Sequence, residues 1–466
     1  MKHMKIAILG AGFAGLSSAY KLIQNGYDVH IFEKSAQSGG AAGGFKNKDW
    51  EWYLDYAYHH WFTSDNAILN LCKDIGFTDI MVKRPITASL YTSINSPPGR
   101  VSSHPPGGGE LWDTFFPENT QTYKLDSPMD ILTFDRISLI NRLRTGMTLA
   151  FLKFGPSLDL YHTTPAYMFI KQWMGTRSWE VLWEPLFKHK FAQYWQEINT
   201  MFFWARMKRT PALVYPRGGY QHLANYFSQL LEQRGVKFHY KIDISELRKS
   251  PNKTSVFNLK GSLPVGYATF TGFNAVISTL PSPVLLNVEK NVLPGAYRTQ
   301  LSKIQYLGAQ TVVYETTKPV LPQTYWLSIA LQNSPWMVAV QHTNFVQKRH
   351  FNNHHILYMA TYTNEQLSET VWKKQHPAIV WQRSVFIPYA QPLYTTDYHE
   401  YMPQTTTPVP GLYIANMERT YPYDRGTNNA VIAGYQAAEA VEKDRCAEER
   451  ICSTRTCRSE TKLRAS

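Results

Sequence analysis

The chain is short of nearly everything that marks a secreted, membrane-spanning or metal-holding protein. Four cysteines occur in 466 residues, at Cys72, Cys446, Cys452 and Cys457, and their spacing forms neither a disulfide framework nor a metal-ligand pattern. No stretch of about 18 uninterrupted apolar residues is present, which argues against a bilayer-spanning helix. The first residues enter an apolar run directly, without the charged region, hydrophobic segment and cleavage site of a secretory leader. A cytoplasmic location is the expectation. Acidic residues are scarce too: 35 Asp and Glu face 48 Lys and Arg, a net charge of +13. The basic residues are spread along the chain without the signature of an RNA or DNA module, so nucleic acid is not expected as a partner. The excess instead favours acidic substrates or peripheral contact with an anionic membrane. Lys188-His189-Lys190, with Arg206, Lys208 and Arg209, reads either as such a patch or as a solvated face.

What is present is a large apolar content, 44% hydrophobic and 14% aromatic, enough for a substantial core and two domains. Lys5 to Leu9 is an apolar run that breaks into Gly10-Ala11-Gly12-Phe13-Ala14-Gly15. Leu16, Ala19, Tyr20, Leu22 and Ile23 then fall on one helical face, Asn25-Gly26 ends the helix, and Asp28 to Phe32 reads as a second strand. In such a strand-turn-helix the three glycines serve a tight turn, close approach to a pyrophosphate and close helix–strand packing. Glu33 closes the second strand, where a carboxylate accepts hydrogen bonds from an unphosphorylated ribose, as in FAD or NAD. The bland alternative is a glycine-rich turn without a ligand.

Further segments bear on the choice between these cofactors. Ser38 to Gly44 is a second run of small residues beyond Glu33. Tyr215-Pro216-Arg217-Gly218-Gly219-Tyr220 precedes a helical pattern and the strand Val236 to Phe238, and Ala275 to Leu280 reads as a buried strand. Near the end, Pro410 to Asn416 is an apolar strand, and Gly426 opens a helix through Ala430 and Val431. In this order the segments resemble the flavin-dependent amine oxidase superfamily, which includes protoporphyrinogen oxidases, phytoene-type desaturases and, more distantly, UDP-galactopyranose mutases. The resemblance spans nearly all of residues 4 to 442. It implies an α/β fold: a Rossmann-type FAD-binding domain from 1–82, 215–290 and 400–442, and a discontinuous α+β substrate domain, antiparallel sheet plus helices, from 83–214 and 291–399. It also implies FAD held by Gly10, Gly12, Phe13, Ala14, Gly15, Glu33, Lys34, Gly40, Ala41, Ala42, Ile244, Asn416, Gly426, Ala430 and Val431. Two positions depart from the family pattern. Ala41 stands where amine oxidases carry Arg, and Asn416-Met417-Glu418 replaces a Gly-acidic pair, so Asn416 or Glu418 takes over the ribityl contact.

Segments 94–122, rich in Pro, Gly and Ser, and 443–466, polar and mixed in charge, are expected to be a flexible insertion and a disordered tail. Candidate catalytic residues lie beside the cofactor segments. His59 or His60 acts as acid or base or bonds the flavin, unless each is satisfied within the core, while Arg425 fixes an anionic group and Tyr423 walls the site. The lysine that many amine oxidases carry after a Leu-Gly pair is missing after Leu307-Gly308. The expected activity is therefore oxidation or desaturation of a small hydrophobic substrate by hydride transfer to flavin N5, with O2 or a quinone as acceptor. Alternatives are an amine oxidase, a mutase-like flavoenzyme and a non-catalytic flavin-binding scaffold.

Overall fold

Five short strands line up in parallel in the order Lys237–Tyr240, Asp28–Glu33, Lys5–Leu9, Ala275–Ser278 and Leu412–Ile414. Ile6 to Leu9 and all of Ala275–Ser278 are buried, as strands covered on both faces must be. Helix Phe13–Gln24 follows the first strand, and helix Tyr220–Gln233 and the long helix Thr427–Leu463 pack against it. The computed structural model describes residues 4–92, 109–118, 120–125, 128–209, 212–250 and 256–463.

A second, seven-stranded sheet has the order Ile379–Pro392, Tyr306–Thr316, His355–Thr363, Val338–Gln341, Trp326–Ile329, Thr87–Thr92 and Thr120–Tyr123. It is antiparallel except where Trp326–Ile329 runs parallel to Thr87–Thr92. Helices Leu139–Phe154, Ala166–Met174, Glu184–Phe191 and Thr200–Met207 gather with the end of this sheet around an aromatic core of Phe169, Trp179, Phe202, Tyr394 and Tyr398. A three-stranded antiparallel sheet, Asp243–Lys249, Phe257–Ser262 and Tyr267–Phe273, packs Leu247, Leu259 and Phe273 against Ala7, Leu9, Phe32 and Val276 on one face of the parallel sheet.

Two expectations are corrected. Of the supposed flexible insertion 94–122, residues 94–108 and 119 lie outside the described residues, but the remainder is folded. Leu111, Trp112, Phe115 and Phe116 are buried with Val320, Leu321 and Trp336, and Thr120–Tyr123 pairs with Thr87–Thr92. Aromatic anchors outweigh the loop-like composition there. The supposed disordered tail continues the backbone of helix Thr427–Leu463, and 464–466 lie outside the described residues.

Candidate functional site

Glycine at position 12 caps helix Phe13–Gln24 with extended backbone, and no side chain caps the first helical N–H groups. Those donors and the helix dipole are thus left without a capping side chain, as an anion-binding helix start requires. The two glycine runs lie against each other. Gly39 N–H donates to Ala11 O (2.9 Å), and a Cβ on Gly40, whose φ is +58°, would lie 3.0 Å from Gly12 Cα. The pair is a backbone cradle that side chains would fill.

Glu33 is buried, and its carboxylate accepts the N–H groups of Ala11 (2.9 Å) and Ser35 (2.8 Å). A carboxylate offers about four lone-pair sites, so acceptor capacity remains for ribose hydroxyls. Lys34, Gly40 and Ala41 are exposed while Ala42 is buried. Ile244 is the second residue of the three-stranded sheet beside this corner, where Ile242 N–H donates to Glu33 O (3.0 Å). Sequence reading missed the residue that holds the second glycine run. Gln221 is fully buried, accepts Gly44 N–H (2.9 Å) and donates to Ser38 O (2.8 Å). Asp55 likewise anchors the start of its helix by accepting Tyr220 N–H (3.2 Å) and Tyr215 O–H (3.0 Å). Neither has a local signature, because both bond across more than a hundred residues.

At the C-terminal end, Glu418 is saturated: it accepts Ser282 N–H (2.6 Å), the Ser282 hydroxyl, Tyr306 O–H (2.9 Å) and Asn416 Nδ2–H (2.9 Å). Asn416 is buried and donates to Leu280 O, yet its Oδ1 has no hydrogen-bond partner. An unpaired buried acceptor is costly unless a ligand completes it. Gly426 and Ala430 are accessible, whereas the Val431 side chain is fully buried in the core. The helix they open is fixed by Trp61 Nε1–H to Thr427 Oγ1 (2.5 Å) and by Asn428 Oδ1, which accepts Ala67 N–H (2.9 Å). Further along, a Cβ on Gly434 would lie 2.4 Å from Ala14 O, so glycine there permits the crossing of the two helices.

The catalytic candidates fall around one charged cluster, with an exception. Asp424 is 7% exposed, and Arg206 (2.5 Å), Arg209 (3.2 Å), Lys190 (3.5 Å) and Arg425 (3.8 Å) surround its carboxylate. Burial pushes that carboxyl up, but the four cations outweigh it and hold it far below the usual range. His59 and His60 face the cluster. Burial, then Arg425, lowers the His59 imidazole to about 4, and burial, then Arg209, His59 and Arg206, lowers His60 to about 3. Both rings are neutral at pH 7, and both Nδ1 atoms lack a partner. Tyr423 is 48% exposed and does not enter this cluster. The basic group seen in the sequence divides. Lys190, Arg206 and Arg209 converge on Asp424, while Lys188 pairs with Glu184 at the surface and Lys208 donates to Lys153 O and Gly155 O.

A parallel sheet with a glycine cradle at its strand ends, joined to a second, largely antiparallel sheet, defines a dinucleotide-binding α/β protein. The profile of the flavin-containing amine oxidoreductases matches residues 13–442, and the chain belongs to that family. Its cofactor is a flavin, for which the cradle and the unpaired Asn416 Oδ1 provide fitting partners. Among curated proteins the chain is similar to a zeta-carotene desaturase of Synechocystis sp., 25% identical over 330 residues, which cover 66% of this chain and 64% of that protein. The match thus spans less than two thirds of the relative. Among solved structures, reduced UDP-galactopyranose mutase superposes with a TM-score of 0.69 at 14% identity, over 95% of this chain and 94% of that one. An oxidoreductase from Methanosarcina mazei gives 0.67 at 15% identity, over 94% and 100%. At these identities the structures share the fold.

Proposed function

We propose that the protein is an FAD-dependent oxidoreductase that oxidises or desaturates a small, largely apolar molecule. The observation that carries this reading is the backbone cradle formed by the two paired glycine runs beside buried Glu33, with the unpaired Oδ1 of Asn416 as a further acceptor. When bound, the flavin supplies a hydride acceptor at its N5. The chain's own groups divide the remaining work. Glu33 accepts the ribose hydroxyls, the open N–H groups after Gly12 take the pyrophosphate, and Asn416 Oδ1 accepts a ribityl hydroxyl. His59 and His60, neutral at pH 7, would serve as hydrogen-bonding groups beside the reacting region. The similarity to a carotene desaturase supports an apolar substrate.

Purified protein is expected to be yellow and to release FAD rather than FMN on denaturation. Glu33→Ala should weaken FAD retention by roughly tenfold to a hundredfold, since each hydrogen bond to a charged group contributes about 1.5 to 3 kcal/mol. Unchanged FAD affinity in that variant removes Glu33 from the site, and a preparation that takes up no flavin removes the whole reading. Anaerobic bleaching by polyene, porphyrinogen or amine compounds identifies the substrate class.

The same proposal includes peripheral contact with an anionic membrane. No helix among the described residues is long and apolar enough to cross one. Helix Leu139–Phe154, however, presents Leu139, Ile140, Leu143, Met147, Phe151 and Phe154 to solvent at 48% to 85% exposure, and the adjacent helix adds Met168 and Trp173. Arg144, Lys153 and Lys171 lie on the same two helices. A basic apolar face of this kind suits a headgroup layer. Co-flotation with phosphatidylglycerol vesicles is expected, and the double change Met147→Glu with Phe151→Glu should lower it at least about tenfold. Equal flotation of the two proteins would sink the membrane assignment.

A further inference from the structure

Three arginines and Lys190 share the single carboxylate of Asp424, and burial, with the neighbouring arginines, drives the Lys190 ammonium well below its ordinary range. Lys190 comes from helix Glu184–Phe191, Arg206 and Arg209 from helix Thr200–Met207 and the residues after it, and Arg425 from the loop before the final helix. Asp424 Oδ2 lies within ion-pair distance of three of them, and Gln391 Oε1 accepts from Arg425 (2.6 Å) and Lys190 (3.3 Å). The next carboxylate to act on Arg209 is Asp65, which itself accepts Phe62 N–H (2.9 Å). The surroundings are otherwise aromatic: Tyr362 lies under Lys190 (4.9 Å) and Arg425 (5.1 Å), Phe202 under Arg206 (5.9 Å) and Phe62 under Arg209 (5.2 Å). His59 and His60, neutral for the reasons given above, add no charge.

Folding alone gives little reason to bring four cations to one carboxylate, because they repel one another where few solvent molecules can screen them. One or two would satisfy Asp424. Each arginine has five N–H donors, and the cluster uses few of them internally. The side chains remain 13% to 34% accessible, so a small group can reach them. Among the described residues, none of the four cations hydrogen-bonds to the glycine runs that form the cradle, so this charge is separate from the pyrophosphate grip.

We infer that Lys190, Arg206, Arg209 and Arg425, gathered on Asp424 beside His59 and His60, form a subsite for an oxyanion carried by the substrate, a carboxylate or a phosphate. The inference rests on the oxidoreductase reading and deepens it: the substrate is an amphipathic molecule whose acidic end docks here and whose apolar body extends toward the flavin. Asp424 keeps the cations convergent, and its single charge leaves them able to accept a second anion. Forked arginine donors match either oxyanion.

The test titrates flavin-loaded protein with inorganic pyrophosphate, with decanoate and with decanol, following flavin absorbance and tryptophan fluorescence. Saturable binding of an anion but not of decanol is expected. Preference for pyrophosphate assigns a phosphate-bearing substrate, and preference for decanoate a carboxylate. Arg206→Gln should weaken the preferred anion about tenfold, and Asp424→Asn, which removes the competing charge, should tighten it. Thermal melting and flavin content confirm that each variant is folded. Absence of saturable anion binding, or affinities unmoved by both variants, overturns the subsite. A protein that takes up no flavin but binds the anion with these variant effects overturns the oxidoreductase reading and keeps the subsite.

Discussion

Gly15→Ala is expected to leave the protein without bound flavin and measurably less stable. Alanine is the better helix former by up to about 1 kcal/mol, so local propensity alone predicts a gain. The tertiary contact decides otherwise. A Cβ at this position would lie 2.1 Å from Gly10 O and 3.2 Å from Ile8 Cγ2. The obstructing atom is backbone and cannot swing away, so strand and helix must separate, at a cost of about 1 to 3 kcal/mol for an overpacked core position. That separation displaces Gly10 and Gly12, the same atoms that must meet the pyrophosphate. Gly295→Ala is the matched control, since nothing lies within 4 Å of its added Cβ. Flavin content and melting temperature check both: a flavin-replete Gly15→Ala protein with an unchanged melting temperature contradicts the close-packing argument.

The second large effect is loss of stability in mild acid. Burial lowers His30 and His59 to about 4 and His60 and His342 to about 3. A folded-state pKa below the unfolded value of about 6.5 means that the unfolded chain binds more protons between the two. The stability contributed by the neutral rings is therefore complete above about pH 6.5 and is lost as pH falls toward 4 and 3. His342 has the firmest case, being 3% exposed with an unpartnered Nε2. Charging it costs on the order of 5 kcal/mol at one pKa unit per 1.36 kcal/mol. Asp55 and Glu418 work in the opposite sense, because burial raises their carboxyls and the folded state takes up protons there. The net expectation is a melting temperature that drops steeply between pH 6.5 and 4.5. His342→Phe places a ring of similar size among Tyr215, Phe351 and Tyr358 and should flatten that slope by about one proton. An unaltered slope in the variant would show that His342 does not carry the effect.

Some elements were legible locally. The run Lys5 to Leu9 became a parallel strand, Leu16 to Ile23 an amphipathic helix, and Ala275 to Ser278 a fully buried parallel strand. Each rests on a periodicity of two or 3.6 residues, or on a continuous buried run, and the tertiary fold left those patterns intact. Composition misled where a few side chains outweighed many. Trp112, Phe115 and Phe116 bury a segment whose Pro and Gly content reads as loop. Of the aromatic residues between 173 and 204, Trp179, Phe202 and Phe203 are buried, while Trp173 faces solvent.

The sequence by itself determined the dinucleotide turn, the acidic residue after the second strand and the glycine that opens the last helix, because a turn, a strand end and a helix start are set by neighbours a few residues apart. Only the tertiary structure decided which polar residues act together. Gln221 meets Ser38 and Gly44, Glu418 meets Ser282 and Tyr306, and Lys190, Arg206 and Arg209 reach Asp424 from more than two hundred residues away. Those pairings depend on how two sheets and a layer of helices close on one another, and charge and hydrogen-bonding capacity carry no record in the chain of where their partners will be.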